Sequence, residues 1–256
     1  MMPERRADII AGLQSDILRL QGFKPSNCMT TDTGLGQITD AMPNGVFPLG
    51  AVHEFLSGRT EDAAATTGFI SGLLASLMGS SGTALWISTM RMVFPPALKS
   101  FGVQPDRIIF IDLPSEREVI WAMDESLKCD GLCAVIGELK QISFTASRRL
   151  QLAVEKSQVT GFILHHGTKN PNTTACVSRW KITSLGSEYI DGLPGVGFPN
   201  WRVELLRMRN GRTGVWEVKF ANGKFQTRSL SGNIEKDGTN TVSIEQESRE
   251  QQLKMG

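Results

Sequence analysis

Residues 50–77, G-A-V-H-E-F-L-S-G-R-T-E-D-A-A-A-T-T-G-F-I-S-G-L-L-A-S-L, most constrain what this chain can fold into. Residues 51–56 are a short apolar run that reads as a strand, and 57–62 read as a polar loop. Residues 63–77, rich in alanine, leucine and small side chains, read as a helix. Strand, loop and helix in that order are the layout of a phosphate-binding loop at the start of an α/β sheet. The side chains used by such a loop are missing. No Gly-Lys-Ser/Thr follows, and no lysine lies between Lys24 and Lys99. The layout points to a nucleotide site and the chemistry points away from it.

The pattern continues as α/β. Residues 83–89, 107–113, 132–136 and 160–165 are near-continuous apolar runs, as strands buried on both faces require. Between them lie a short helix from Pro95 to Phe101 closed by Gly102, a helix over 115–128 and a helix over 143–157. Ser115 and Glu118 form the S-x-x-E signature of a capped start. After 165 the helices stop. Strands over 175–183, 201–208 and 214–220 follow one another through turn-forming stretches, with Asn210-Gly211 marking a hairpin. The sheet is therefore expected to begin parallel and finish antiparallel.

Outside this body, residues 7–21 carry Ile10, Leu13, Ile17 and Leu20 at helical spacing and read as an amphipathic helix. Residues 23–48 read as a linker or irregular arm. From 229 onward the chain is polar, charged and nearly free of aromatics, which reads as a disordered tail. The expected organisation is helix and arm over 1–44, core over 45–228 and tail over 229–256.

Composition sets the class. With 256 residues, 40% hydrophobic and 21% charged, the chain resembles a soluble globular protein, and no apolar run is long enough for a membrane span. Cys28, Cys129, Cys133 and Cys176 lack zinc-ligand spacing, which implies reduced thiols and a cytoplasmic location. The net charge of +1 is unevenly distributed. Residues 1–138 hold 10 Lys and Arg against 16 Asp and Glu, whereas residues 139–228 hold 14 against 5. A basic second half suits an anionic partner, a nucleic acid or an acidic protein face, and suits equally cations spread over solvated strands.

Specific runs add a resemblance. The stretches G-A-V-H-E-F-L-S (50–57), W-I-S-T-M-R-M-V-F-P-P-A-L-K-S-F-G-V (86–103) and R-V-E-L-L-R-M-R (202–209) resemble strands of the RecA-type ATPase core. F-P-L-G-A-V-H-E-F-L, S-F-T-A-S-R-R-L-Q-L-A and G-V-G-F-P-N-W-R-V-E-L-L-R-M-R-N-G, within a span from about 45 to 220, resemble the ImuA family of RecA-like error-prone repair proteins more closely. The resemblance implies a RecA-like core with a mostly parallel central sheet flanked by helices. It implies an accessory role in SOS-induced translesion synthesis and mutagenesis. The implied partners are an ImuB-like Y-family polymerase homologue, a DnaE-type polymerase and RecA, with direct DNA contact left open.

RecA-type hydrolysis uses a lysine on the phosphates, a carboxylate on Mg²⁺ and an acid that orients water. The resemblance sets a degenerate loop at Ser57 and Gly58, Ala65 at the last loop glycine, Thr66 at the lysine and Thr67 at the magnesium-binding hydroxyl. It sets Met90 at the water-orienting glutamate and Gly137, beside Glu138, at the metal aspartate. The loop counts as longer than that of RecA, with Glu61 and Asp62 set against a phosphate and no cation to offset them. The expectation is a pseudo-ATPase on a P-loop fold, with no cofactor, metal or catalytic residue. The competing readings are a true DNA-dependent ATPase of the RecA superfamily and a SulA-like division inhibitor, the latter family being shorter than this chain.

Four arginines stand out as partner-binding candidates. Arg207 and Arg209 fall where RecA carries interface lysines, and alternation puts them on one strand face, where a solvent-facing basic strand is the plainer reading. Arg148 and Arg149 either anchor their helix to the sheet through carboxylates or meet an acidic partner. Two further pairs read as structural: His165-His166 as strand-end polar residues, and His53 with Ser57, which lack an orienting acid for catalysis.

Overall fold

The apolar runs that mark strands in the sequence all enter a single sheet. The computed structural model describes residues 33–167, 171–187 and 197–230. Its strands are β1 (Val52–Ser57), β2 (Ala84–Ser88), β3 (Ile108–Asp112), β4 (Ala134–Leu139), β5 (Thr160–His166), β6 (Ser178–Ser184), β7 (Asn200–Met208), β8 (Gly214–Ala221) and β9 (Lys224–Ser229). The order is β3-β2-β4-β5-β1-β6-β7-β8-β9. Pairings from β3 through β6 are parallel and those from β6 through β9 antiparallel. The fold is thus α/β with a mostly parallel centre and an antiparallel end.

Among the described residues three α-helices cover the sheet: α1 (Thr60–Met78), α2 (Glu116–Ser126) and α3 (Phe144–Ser157). The Ser115 hydroxyl accepts from the Glu118 backbone N–H, the N-cap that the S-x-x-E pattern implies. Ser143 caps α3 in the same way through Ala146. Alternation along β1 divides its side chains between two cores. Phe55 joins the core under α1 with Phe69, Trp180, Trp201 and Phe220. Val52 joins the core under α2 and α3 with Val119, Met123, Leu150 and Ile163.

The first core explains why α1 is rich in small residues. Phe225 packs 5.2 Å, centroid to centroid, from Phe69, and Phe101, Trp201 and Phe220 stack beside it. A Cβ at Gly72 would fall 2.5 Å from the Phe225 ring, and one at Gly68 would fall 2.9 Å from Phe101. Glycine costs a helix interior about 1 kcal/mol relative to alanine. Here it lets the partly buried rings of Phe101 and Phe225 reach the helix backbone and close over the core.

The structure adds detail to two stretches of the chain. Leu35, Ile38, Ala41, Met42 and Phe47 are buried in the first core, so residues 33–48, read from the sequence as a linker or irregular arm, pack on the body. A 3₁₀ turn at Gly36–Ala41 is tied to β9, Gln37 N–H donating to Thr227 Oγ1 and Ser229 N–H to Gln37 Oε1. The chain also keeps pairing past Phe220. Asn222-Gly223, both at positive φ, turn β8 into β9, which runs to Ser229. The helix expected over 7–21 and the tail beyond 230 lie outside the described residues. Among the described residues no helix is long and apolar enough to cross a membrane.

Candidate functional site

In an open α/β sheet, ligands meet the carboxyl ends of the parallel strands. The β1–α1 turn lies at that rim. Strand β1 ends at Ser57 and α1 begins at Thr60, leaving Gly58 and Arg59 between them. The expected six-residue loop, longer than that of RecA, is therefore a two-residue connection. Ala65, Thr66 and Thr67 fall in the second turn of α1 and not at its mouth. Ala65 is buried in the core, and the Thr66 hydroxyl donates to Asp62 O (2.7 Å) and lies 2.9 Å from Ser57 Oγ. The Thr67 carbonyl accepts from Ser71 Oγ.

The helix mouth already holds an anion, and it is the protein's own. The Asp62 carboxylate accepts from Arg59 Nε and Nη2 (both 3.2 Å) and from Ser184 N–H at 3.1 Å on β6. Burial raises the carboxyl pKa, but the hydrogen bonds from Arg59 and Ser184 and the charge of Arg59 outweigh it, so the net shift is downward. A cation thus does compensate the loop acid, contrary to the sequence expectation. Asp62 and Glu61 both lie in the first turn of α1, so an incoming phosphate there would meet negative charge already in place.

The other carried-over positions lie apart. Met90 is 71% exposed in the segment after β2. Gly137 is inside β4 and not at its end, and a Cβ there would lie 2.0 Å from Met123 Sδ, so glycine lets α2 seat on the strand. Glu138 is buried, accepting from Trp86 Nε1 at 2.6 Å and lying 3.3 Å from His166 Nε2.

A second charged group lies on the opposite face of the sheet, across β1, β6 and β7. Register aligns Glu54 on β1 with Arg179 on β6 and Arg207 on β7. Glu54 Oε1 accepts from Thr174 Oγ1 (2.6 Å) and Arg179 Nε (2.7 Å), with Arg207 Nη2 at 3.5 Å. His165 Nε2 stands 3.5 Å from Oε2, an ion-pair distance and not a well-formed hydrogen bond. Burial pushes this carboxyl up; His165, Arg179 and Thr174 pull it down, and the net shift is below the ordinary carboxylate value. His165 and His166 are thus partners of buried glutamates, more than polar strand ends. Sequence reading did not single out Glu54, although a lone glutamate in an apolar strand is itself a signal that a cation must meet it.

His53 and Ser57 do not form a dyad. The His53 ring is fully buried, with Nε2 2.8 Å from Pro48 O and Nδ1 2.6 Å from Ser178 Oγ, which also accepts from Trp180 Nε1. This network assigns the neutral Nε2–H tautomer. Burial, partly opposed by the Pro48 bond, lowers the pKa to about 4.

The four arginines separate into two groups. Arg149 turns to Asp124 on α2 (3.4 Å), bracing helix to helix and not helix to sheet. Arg207 donates to Thr174 O (3.1 Å) and Cys176 O (2.8 Å), and Arg209 to Ala175 O (2.8 Å), pinning the segment before β6. They are bound arginines and not a free basic strand. Arg148 joins them at a cleft of about 480 Å³ lined by Phe144, Ala175, Cys176 and Met208. Among the described residues no group of three or more His, Cys, Asp or Glu is placed to hold a metal. Cys129 is exposed, Cys133 half-buried and Cys176 buried, all three as free thiols.

Comparison with known proteins decides the family. The chain is 33% identical over 195 residues to Protein ImuA of Caulobacter vibrioides, in each of two strains, covering 72% of this chain and 80% of the relative. The chain belongs to the ImuA family. It is also 27% identical over 122 residues to the Cell division inhibitor SulA of Photorhabdus laumondii, covering 46% of this chain and 69% of that protein. No protein-family model matches. The ImuA match is the more extensive, and the SulA likeness agrees with the relation anticipated from the sequence.

Proposed function

We propose that the chain is a non-catalytic accessory protein of SOS-induced error-prone, translesion DNA repair, an adaptor between mutagenic polymerase components and RecA. Membership of the ImuA family carries the repair role. The non-catalytic reading is supported by the sealed β1–α1 turn, where Asp62, Arg59 and Ser184 occupy the helix mouth and Thr66 turns inward to Ser57. Three features needed for phosphoryl transfer have no counterpart there: a lysine on the phosphates, a metal carboxylate and a water-orienting acid.

An adaptor works through surfaces. Strand β3 is one edge of the sheet, its Ile109 is exposed, and Met92 and Phe94 are exposed in the segment between β2 and the Pro95–Phe101 turn. Exposed apolar groups and an open edge suit a protein partner. The cytoplasm is the compartment this role requires.

The test is a pull-down from damage-treated cells with the full chain as bait. Recovery of an ImuB-like Y-family homologue, a DnaE-type polymerase or RecA is the expected result. Recovery of a division protein alone would favour the SulA-like reading, and single-stranded-DNA-dependent ATP turnover by purified protein would overturn the non-catalytic one.

A further inference from the structure

We propose that the cleft between the start of α3 and the end of β7 docks an acidic–apolar peptide of a protein partner, a carboxylate beside a bulky apolar side chain. Three guanidiniums from two elements converge there: Arg148 from the second turn of α3, and Arg207 and Arg209 from the end of β7 and the residue after it. Arg207 and Arg209 are held in place by the carbonyls of Thr174, Ala175 and Cys176. Each guanidinium carries five donors, so this fixing orients them without using up their capacity.

Charge at the cleft is unbalanced. Arg148 has only a long contact, 4.0 Å to Glu155, and Arg207 shares the Glu54 carboxylate with Arg179. Burial, then the like charge of Arg148, holds the Arg209 pKa below its usual value, with Arg207 adding to the effect and Glu155 opposing it. An incoming carboxylate relieves this repulsion and meets preorganised bidentate donors.

The walls select the rest of the ligand. Phe144 is 55% exposed at the mouth, and Ala175, Val177 and Met208 form an apolar floor. A volume near 480 Å³ accommodates a few side chains. A phosphodiester backbone offers nothing apolar to that floor and follows open basic tracks, so a peptide fits better than DNA.

The proposal specifies a partner chemistry for the adaptor reading and rests on that reading for its biological setting. Its test uses purified full-length protein, so its failure and that of the pull-down are separable. The probe is a fluorescein-labelled pentapeptide, Asp-Leu-Asp-Phe-Asp, followed by anisotropy. Saturable binding is expected, weakening by about tenfold or more in Arg148→Ala and when every Asp of the probe becomes Asn, and several-fold in Phe144→Ala. Arg149→Ala, whose side chain turns to Asp124 on α2, is the matched control and leaves binding unchanged. Arg148 and Phe144 are exposed, so their variants keep the wild-type melting temperature; if Arg148→Ala does not, Arg148→Gln replaces it. No saturable binding up to about 1 mM overturns the proposal, since that limit corresponds to only about 4 kcal/mol. Equal loss in Arg149→Ala would also overturn it, as would an Arg148-dependent site for a twelve-residue oligothymidylate that the peptide does not enter.

Discussion

The β1–α1 turn and the α3–β7 cleft are both charged places, and they handle charge in opposite ways. At the turn a carboxylate, a guanidinium and a backbone N–H close on one another within 3.2 Å, leaving the Asp62 charge matched. At the cleft three guanidiniums face only two long carboxylate contacts, Arg148 to Glu155 at 4.0 Å and Arg207 to Glu54 at 3.5 Å, the latter shared with Arg179. Local neutralisation stabilises a fold, whereas a preorganised excess of one sign is poised to meet a partner. The Glu54 row links the two regimes, being matched in its interior and opening toward the cleft at Arg207.

The largest expected effect breaks that row. Glu54→Ala leaves Arg179 and Arg207 against an emptied buried site and is expected to cost about 3–5 kcal/mol in urea unfolding, while a loss below 1 kcal/mol would show that the row is not needed. The next is set by pH. His53 is neutral when folded, with a pKa near 4 against 6.5 unfolded, so the unfolded chain binds the extra proton between these values. Stability is fully present above pH 6.5 and falls by about 3 kcal/mol as pH drops to 4; loss of this slope in a folded His53→Gln variant checks the assignment. Glu54 and Asp62, with lowered pKa values, add a further loss as pH falls below the ordinary carboxylate range.

A third effect separates packing from metal binding at Gly137. Gly137→Ala is expected to cost about 1–3 kcal/mol through the Met123 clash, and Gly137→Asp to cost at least as much without conferring Mg²⁺ binding by calorimetry. At the sealed turn, Asp62→Ala removes two Arg59 bonds and the Ser184 bond, for about 1–2 kcal/mol in thermal unfolding. The smallest effect is none at all. Millimolar Mg-ATP is expected to leave the melting temperature unchanged, and a rise of several degrees would break the comparison at its root.

Much of the fold was legible because buried parallel strands must be apolar on both faces, and β2, β4 and β5 therefore read as continuous runs. Strand β9 was not, since Phe225 is its only apolar side chain, yet Asn222-Gly223 had the residues of a tight hairpin turn. Residues 33–48 also escaped, because Leu35, Ile38, Met42 and Phe47 reach the core from irregular turns with no period to detect. At the candidate sites, the residue types missing from a nucleotide loop were visible. The partners of the residues present were not: Asp62 with Ser184 and Glu54 with Arg207 are separated by more than a hundred positions.

What the sequence alone determined, then, is the α/β class, the switch from parallel to antiparallel strands and the absence of any lysine between Lys24 and Lys99. Each follows from residue type and local spacing, which act over a few positions. Tertiary structure decided that the expected loop is a two-residue turn sealed by its own carboxylate. It also decided that Arg148 joins Arg207 and Arg209 while the adjacent Arg149 does not. Consecutive helical residues point about 100° apart, and strand register sets which distant side chains meet, so neither result can be read from neighbours in the chain.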